Sequence, residues 1–264
     1  MNVLFIGNAI IDVISHLDEI NQVDPNFIGK MQIVSQKEIN DKIKVLSNKK
    51  IIPGGSANNS ACGLAMLEEE VCFIGKIGND HYGKVYLDQN KEQNVETGLM
   101  VVDNKSTTGL SLVYVTPGGE RTMNTFPGAS AELDTSDIPK ATFSGISGIF
   151  IEGYILYSPH GLELISKSIS SVITNKGFTA ISLSDVDCVD RYRVHFLNLI
   201  KSNEINLIFG NKMEMMSLLE VKTEMDLIKR MKELSGFVER LIMTSKLASG
   251  KVSQPMDIGT FWFL

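Results

Sequence analysis

IIPGGSANNSACGLAM, residues 51–66, begins apolar, passes through two glycines and a serine, and runs on into small residues behind two asparagines. It reads as a strand handing over to a helix through a turn with no side chains in the way. Gly54 and Gly55 allow a ligand to approach the backbone, since no Cβ intervenes. The helix, beginning near Ala57, presents the unbonded N–H groups of its first turn, and Asn58 and Asn59 add side-chain donors and acceptors. That combination suits a polyol such as a sugar or a ribose. A plain strand-to-helix turn with a Ser or Asn cap accounts for the same residues equally well.

The strand–turn–helix step repeats along the chain. Apolar runs rich in β-branched and aromatic residues recur at Val3–Ile6, Val71–Ile77, Gly148–Ile151, Phe178–Leu183, Ile205–Phe209 and Leu241–Thr244. Helical stretches with start signals lie between most of them: a capping box at Ser35-x-x-Glu38, Ser158 and Pro159 as an N-cap and first helical residue, and Thr223 before an acidic first turn. Alternation of this kind predicts an α/β fold, a mostly parallel sheet between helical layers, with ligands beyond the carboxyl ends of the strands. Residues 107–126, TTGLSLVYVTPGGERTMNTF, break the rhythm. They read as two extended segments about Pro117-Gly118-Gly119, an antiparallel hairpin joined by residues 28–34 into a small β lid. The chain is expected to form one α/β domain over 1–264, with lid segments near 12–34 and 98–126 inserted in it. A lid hints at chemistry that must exclude water.

Composition narrows the partner. With 25 basic against 31 acidic residues and a net charge of −6, the sequence offers no electrostatic footprint for nucleic acid or an anionic membrane, and a small soluble ligand is expected. The three cysteines and four histidines make no zinc spacing and no disulfide framework, and the cysteines read as buried thiols of a reducing compartment. The N-terminus lacks the basic start of a signal peptide, and no apolar run is long enough for a membrane helix, so a cytoplasmic location is expected.

Three further motifs touch chemistry. Gly78-x-x-x-x-Gly83-Lys84 matches most of a P-loop, but Val85 supplies no hydroxyl for Mg²⁺ and Asp80 would place negative charge against phosphate; Asp80 reads instead as a helix cap. In FGNKME, Asn211 and Glu214 stand three apart where a strand meets a helix, a spacing that shares one face and can hold a hydrated Mg²⁺. A solvated Asn cap followed by Glu explains the same pattern. Arg121, on the hairpin, is by default a solvated charge and gains a role if the lid closes over phosphate.

Taken in order, GNAIID, GGSANNSA, FIGKIGNDHYG, GERTMNTF and FGNKME resemble the ribokinase or PfkB family of carbohydrate and nucleoside kinases, nearest its adenosine kinase branch, from about residue 2 to about residue 244. Glu68 departs from the family's first signature, where Gly or Ser is preferred. The resemblance implies a ribokinase-like three-layer α/β/α fold and ATP-dependent phosphoryl transfer to a hydroxyl of a nucleoside or sugar, with Mg²⁺. Asn8 and Asp12 would bind sugar hydroxyls, with Gly55, Ser56 and Asn59 from the other side, and Tyr154 would flank the base. Arg121 would meet the transferred phosphoryl group, and Asn211 and Glu214 would organise Mg²⁺ and its waters beside ATP. Lid strands in such proteins can pair between subunits, so a homodimer is an open expectation.

The family's Gly-Ala-Gly-Asp motif, whose Asp takes the acceptor proton and whose amides form the anion hole, has no counterpart here. Asp257 precedes Ile258 and Gly259 and does not match, and the chain closes on Phe261, Trp262, Phe263 and Leu264, an ending that reads as a truncation. Losing a general base costs about 10²–10⁴ in rate, and losing an oxyanion-type donor a further factor on the order of 10²–10³. The sequence therefore predicts acceptor binding with little or no turnover. A non-catalytic nucleoside or sugar sensor and a P-loop nucleotide hydrolase built on Gly78–Lys84 stand as the alternatives.

Overall fold

The computed structural model describes residues 2–17, 28–46, 48–234 and 240–244, so the ending from Ser245 onward lies outside the described residues. The chain divides into two compact units, Gly7–Leu133 and Met1–Ile6 with Asp134–Leu264. Strand β1 (Val3–Ile6) opens the chain in the second of these.

The unit Gly7–Leu133 is built on a mixed five-stranded sheet. Its strands are β2 (Ile10–His16), β3 (Met31–Ile33), β4 (Lys50–Gly54), β8 (Gly109–Val115) and β9 (Arg121–Phe126), in the order β3-β9-β8-β2-β4. β8 and β9 are the expected hairpin. Its turn is closed by the Gly119 amide on the Thr116 carbonyl at 2.9 Å and the Thr116 amide on the Glu120 carbonyl at 3.0 Å, with Gly119 at a left-handed φ of 85°. β3, from residues 28–34, pairs parallel with β9. Period-two alternation sorts the faces: Ile11, Val13, Leu110 and Leu112 are buried, while Ile10, Asp12 and Ile14 face the other way and are half-buried. Helix α1 (Gln36–Lys44) packs against β8 and β9. It turns Ile39 and Ile43 inward, and its start carries the Ser35–Glu38 capping box. Helix α2 (Ser56–Ala65) follows β4 directly.

The run expected as one strand over Val71–Ile77 is two, β5 (Val71–Ile74) and β6 (Lys76–Gly78). Gly75 breaks it: a Cβ there would stand 2.8 Å from the Ala9 Cβ and 2.9 Å from the Gly7 carbonyl, so the backbone is drawn in against residues 7–9 and the strand is interrupted. β6 pairs with β7 (Val101–Asp103), and α3 (His81–Glu92) lies between them in sequence.

The second unit carries a parallel sheet. β10 (Gly148–Ile151), β11 (Phe178–Ser182), β12 (Leu207–Asn211) and β13 (Arg240–Thr244) join β1 in the run β13-β12-β11-β10-β1. Val3–Ile6 and Gly148–Ile151 are buried at every residue, as uninterrupted apolar strands of a covered parallel sheet should be. Its helices are α4 (Gly161–Thr174), α5 (Val186–Lys201), α6 (Lys212–Leu218) and α7 (Glu224–Leu234). α4 starts later than Ser158 and Pro159 suggest. Ser158–His160 form a turn in which the Gly161 amide donates to the Ser158 carbonyl, and the helix begins where Gly161 passes the Ile155 carbonyl too closely for any Cβ. α7 begins as expected, the Thr223 hydroxyl accepting from the Asp226 amide at 3.2 Å. Among the described residues, no helix is long and apolar enough to cross a membrane.

Candidate active site

In the unit Gly7–Leu133, the β4–α2 turn gathers five of the residues singled out from the sequence. The β2–β4 register sets Ile10 opposite Gly54 and Asp12 opposite Ile52. A Cβ on Gly54 would stand 2.3 Å from the Asp12 Cγ, so the carboxylate lies directly over the glycine. Gly55, at φ 91°, passes the Asn8 carbonyl so closely that a Cβ would sit 2.2 Å from it. These two glycines are spent on bringing Asn8 and Asp12 against the turn. α2 then starts at Ser56 with Gly55 as its N-cap and no side-chain cap, leaving an N-terminus suited to hydroxyl or anionic oxygen atoms. Ser56 and Asn59, one turn apart, are exposed there. Asn58 is a correction: it is fully buried, so its amide does not face a ligand at the surface, and neither its Oδ1 nor its Nδ2 has a hydrogen-bond partner.

Arg121 stands apart from this cluster. It opens β9 opposite Val115, which pairs with His16, whereas Asp12 pairs with Ser111. Val115 lies four residues on from Ser111 along β8, roughly 13 Å along the strand. Arg121 is therefore exposed at the tip of the lid, on the same face as Asp12.

The Gly78–Lys84 run does not make a phosphate loop. A Cβ on Gly83 would lie 2.2 Å from the Gly78 carbonyl, so the two glycines close on each other. Asp80 caps α3 through the Gly83 amide at 2.8 Å, and Lys84 pairs with Asp88 at 2.6 Å on the exposed side of the helix. Sequence reasoning found that cap and missed its second half. The same carboxylate accepts the Thr108 hydroxyl at 2.7 Å and the Thr108 amide at 2.8 Å. Burial works to raise the Asp80 pKa, but the bonds from Gly83, Thr108 and Tyr82 outweigh it and hold the group below the usual aspartate range.

In the unit with the parallel sheet, the remaining candidates lie beyond strand carboxyl ends. Tyr154 is in a 3₁₀ turn, Gly153–Tyr157, after β10. Its hydroxyl donates to Asp185 Oδ2 at 2.9 Å and its amide to the Ser184 hydroxyl at 3.1 Å. Burial, then the Asp185 charge, push the Tyr154 pKa far up, so the phenol stays protonated. Asp185 also caps α5 through the Cys188 amide at 2.6 Å, and burial raises the Cys188 thiol, which removes it as a nucleophile. Asn211 and Glu214 form a reciprocal capping box at the start of α6, with both Glu214 oxygens on Asn211. Glu214 is buried and faces the same helix start as Asn211. Among the described residues no group of three or more His, Cys, Asp or Glu could hold a metal ion.

Residues 3–245 match the pfkB family carbohydrate kinases, and the chain belongs to that family. It is 24% identical over 242 residues to a 5-dehydro-2-deoxygluconokinase of Clostridium botulinum (strain Alaska E43 / Type E3), covering 87% of this chain and 70% of that one. Among solved structures, it superposes on adenosine kinase from Sinorhizobium meliloti with a TM-score of 0.83 and 29% identity, covering 92% of this chain and 74% of that one. A probable sugar kinase from Rhizobium etli CFN 42 gives 0.84 and 27%, covering 92% and 73%. The fold is thus ribokinase-like α/β, with a parallel sheet and a mixed lid sheet, and the chain is a phosphotransferase with an alcohol acceptor by family.

Proposed function

We propose that the acceptor is a nucleoside, gripped by its ribose around the β4–α2 turn of a site laid out for phosphoryl transfer from ATP. Asp12 and Asn8 take ribose hydroxyls from β2 and the loop before it. Gly55, Ser56 and Asn59 take them from the helix side, and Tyr154 flanks the base. Arg121, at the lid tip, would meet the transferred phosphoryl group as the lid shuts, and Asn211 with Glu214 would hold the waters of Mg²⁺. Bound Mg²⁺ would supply charge neutralisation at the ATP phosphates; the chain's own residues supply orientation, which in phosphoryl transfer is most of the catalysis.

The observation that carries this reading is the Asp12 carboxylate seated on the Cβ-less Gly54, beside a helix start whose N-cap is the glycine Gly55. Half-buried Ile10, Ile14 and Ile52 share its face and favour an acceptor with an apolar ring over a bare sugar. The sugar kinase relatives favour the second reading, a sugar acid or ketohexose in the same cradle. Because the 264 residues contain no Gly-Ala-Gly-Asp run, binding is the deciding measurement. Isothermal titration should show adenosine bound more tightly than fructose, and Asp12→Asn should weaken adenosine about 10- to 100-fold by removing a charged acceptor. Equal binding by Asp12→Asn and wild type would sink the assignment, and tighter binding of fructose would select the sugar reading.

A further inference from the structure

We propose that Asp80 is a positioning residue for the acceptor cradle, tying the first turn of α3 to the root of lid strand β8 and through it fixing where Asp12 stands. This rests on the reading that Asp12 grips the acceptor. Thr108 immediately precedes β8 and is buried. Both of its hydrogen-bond donors, amide and hydroxyl, end on the Asp80 carboxylate, and the hydroxyl oxygen also accepts the Gly78 amide at 3.0 Å.

Around that point the chain is packed backbone against backbone. A Cβ on Gly78 would meet the Ser106 carbonyl and the Thr108 amide at 2.6 Å. One on Gly109 would meet the Pro127 carbonyl at 2.3 Å, and Gly128, at φ 54°, would bring one within 2.4 Å of the Thr107 carbonyl. The starts of β8 and the end of β9 are therefore welded together, and the Asp80 carboxylate joins that weld to α3. From there the register is short. Gly109 pairs with Ile10 and Ser111 with Asp12, so a slip at Thr108 reaches Asp12 within three residues of strand β8. The opposite side of the cradle is steadied by the same helix, since the buried Tyr86 hydroxyl of α3 donates to the Gly54 carbonyl at 3.3 Å. α3 thus holds both strands between which Asp12 lies.

A mere helix cap would need the Gly83 bond alone. Asp80→Asn keeps the shape and a cap but has one oxygen where the carboxylate has two, so it cannot accept from Gly83 and from both groups of Thr108 without facing a donor with a donor. Two readouts separate the roles. Hydrogen exchange at the Gly109–Leu112 amides should speed up about tenfold in Asp80→Asn while mid-α3 amides keep their protection, and adenosine affinity should fall about tenfold, as for loss of a hydrogen bond to a charged group. Thr108→Ser, which retains both donors, should match wild type, and Thr108→Val should behave like Asp80→Asn. Wild-type affinity in Asp80→Asn, whatever its melting temperature, would overturn the proposal and leave the acceptor reading intact. Failure of the wild-type chain to bind any nucleoside or sugar would instead remove the acceptor reading and this proposal with it, and the exchange data would then speak only for the Asp80–Thr108 tie.

Discussion

The Asp12 carboxylate occupies the space that a side chain at Gly54 would need, with its Cγ 2.3 Å and its oxygens 2.4 and 2.6 Å from the position of an added Cβ. Gly54 and the neighbouring Gly55 consequently fail in different ways. At Gly54 the obstacle is the Asp12 side chain, which a new methyl would displace. At Gly55 it is the Asn8 carbonyl, and φ is 91°, a region that costs a non-glycine residue about 1–3 kcal/mol. Gly54→Ala should leave the melting temperature close to wild type and weaken acceptor binding about tenfold or more, since the charged group is displaced. Gly55→Ala should lower the melting temperature first. Thermal unfolding and titration on the two variants check this ordering, and a fully binding Gly54→Ala would mean that Asp12 does not touch the acceptor.

Lys84 tests the reading of Gly78–Lys84 as structure. Its ammonium pairs with Asp88 one helical turn on, both side chains being largely exposed. An exposed i,i+4 pair is worth about 0.3–0.5 kcal/mol. Lys84→Ala should therefore change stability by no more than that and leave nucleotide binding untouched, measured by titration with a non-hydrolysable ATP analogue. Strong loss of nucleotide binding would restore the P-loop.

Most of the fold could be read from the residues because its signals are local. The apolar runs at Val3–Ile6 and Gly148–Ile151 each announce a buried strand from their own residues, and the Ser35–Glu38 and Asn211–Glu214 boxes close within three residues. The errors occur where tertiary packing decides. Gly75 splits a continuous apolar run because of residues 7–9, and Gly161 delays α4 because of the Ile155 carbonyl. In the candidate site, the glycines announced a close approach, but their partner was unreadable: the backbone and carboxylate they admit belong to this chain, at Asn8 and Asp12. Asn58 and Asn59 look alike in sequence, and the helical turn buries one and exposes the other. Asp80 and Thr108 lie 28 residues apart, and Tyr154 and Asp185 lie 31 apart, and no periodicity links such pairs.

Asp80 should also leave a signature in acid. Its folded pKa lies below the ordinary aspartate value because the hydrogen bonds from Gly83 and Thr108 overcome the cost of burial. A depressed carboxylate contributes stability that is fully present above the unfolded pKa and is lost as pH falls through the folded one. The stability gap between wild type and Asp80→Asn should thus be constant at neutral pH and narrow from about pH 5 downward. Chemical denaturation of both proteins across that range measures it. Comparison with the variant cancels the other lowered carboxylates, such as Asp103 and Asp134. A gap that stays constant into acid would show that the Asp80 charge contributes nothing to the tie.

If the proposed acceptor site holds, Tyr154 divides into a hydroxyl that serves the fold and a ring that would flank the base. The hydroxyl is committed to Asp185 Oδ2 at 2.9 Å, and the phenol remains protonated because burial and that carboxylate oppose its ionisation. Tyr154→Phe removes a hydrogen bond to a charged group and should cost roughly 1–3 kcal/mol of stability. It keeps the aromatic face, so adenosine affinity should hold within about threefold, less than the loss of one such bond would cause. Tyr154→Ala takes away the face as well, and adenosine affinity should then fall while any affinity for fructose, which has no base, stays the same. Titration of both ligands against both variants settles the matter: parallel losses for adenosine and fructose would place Tyr154 in the scaffold alone, and the base would have to be held by other residues.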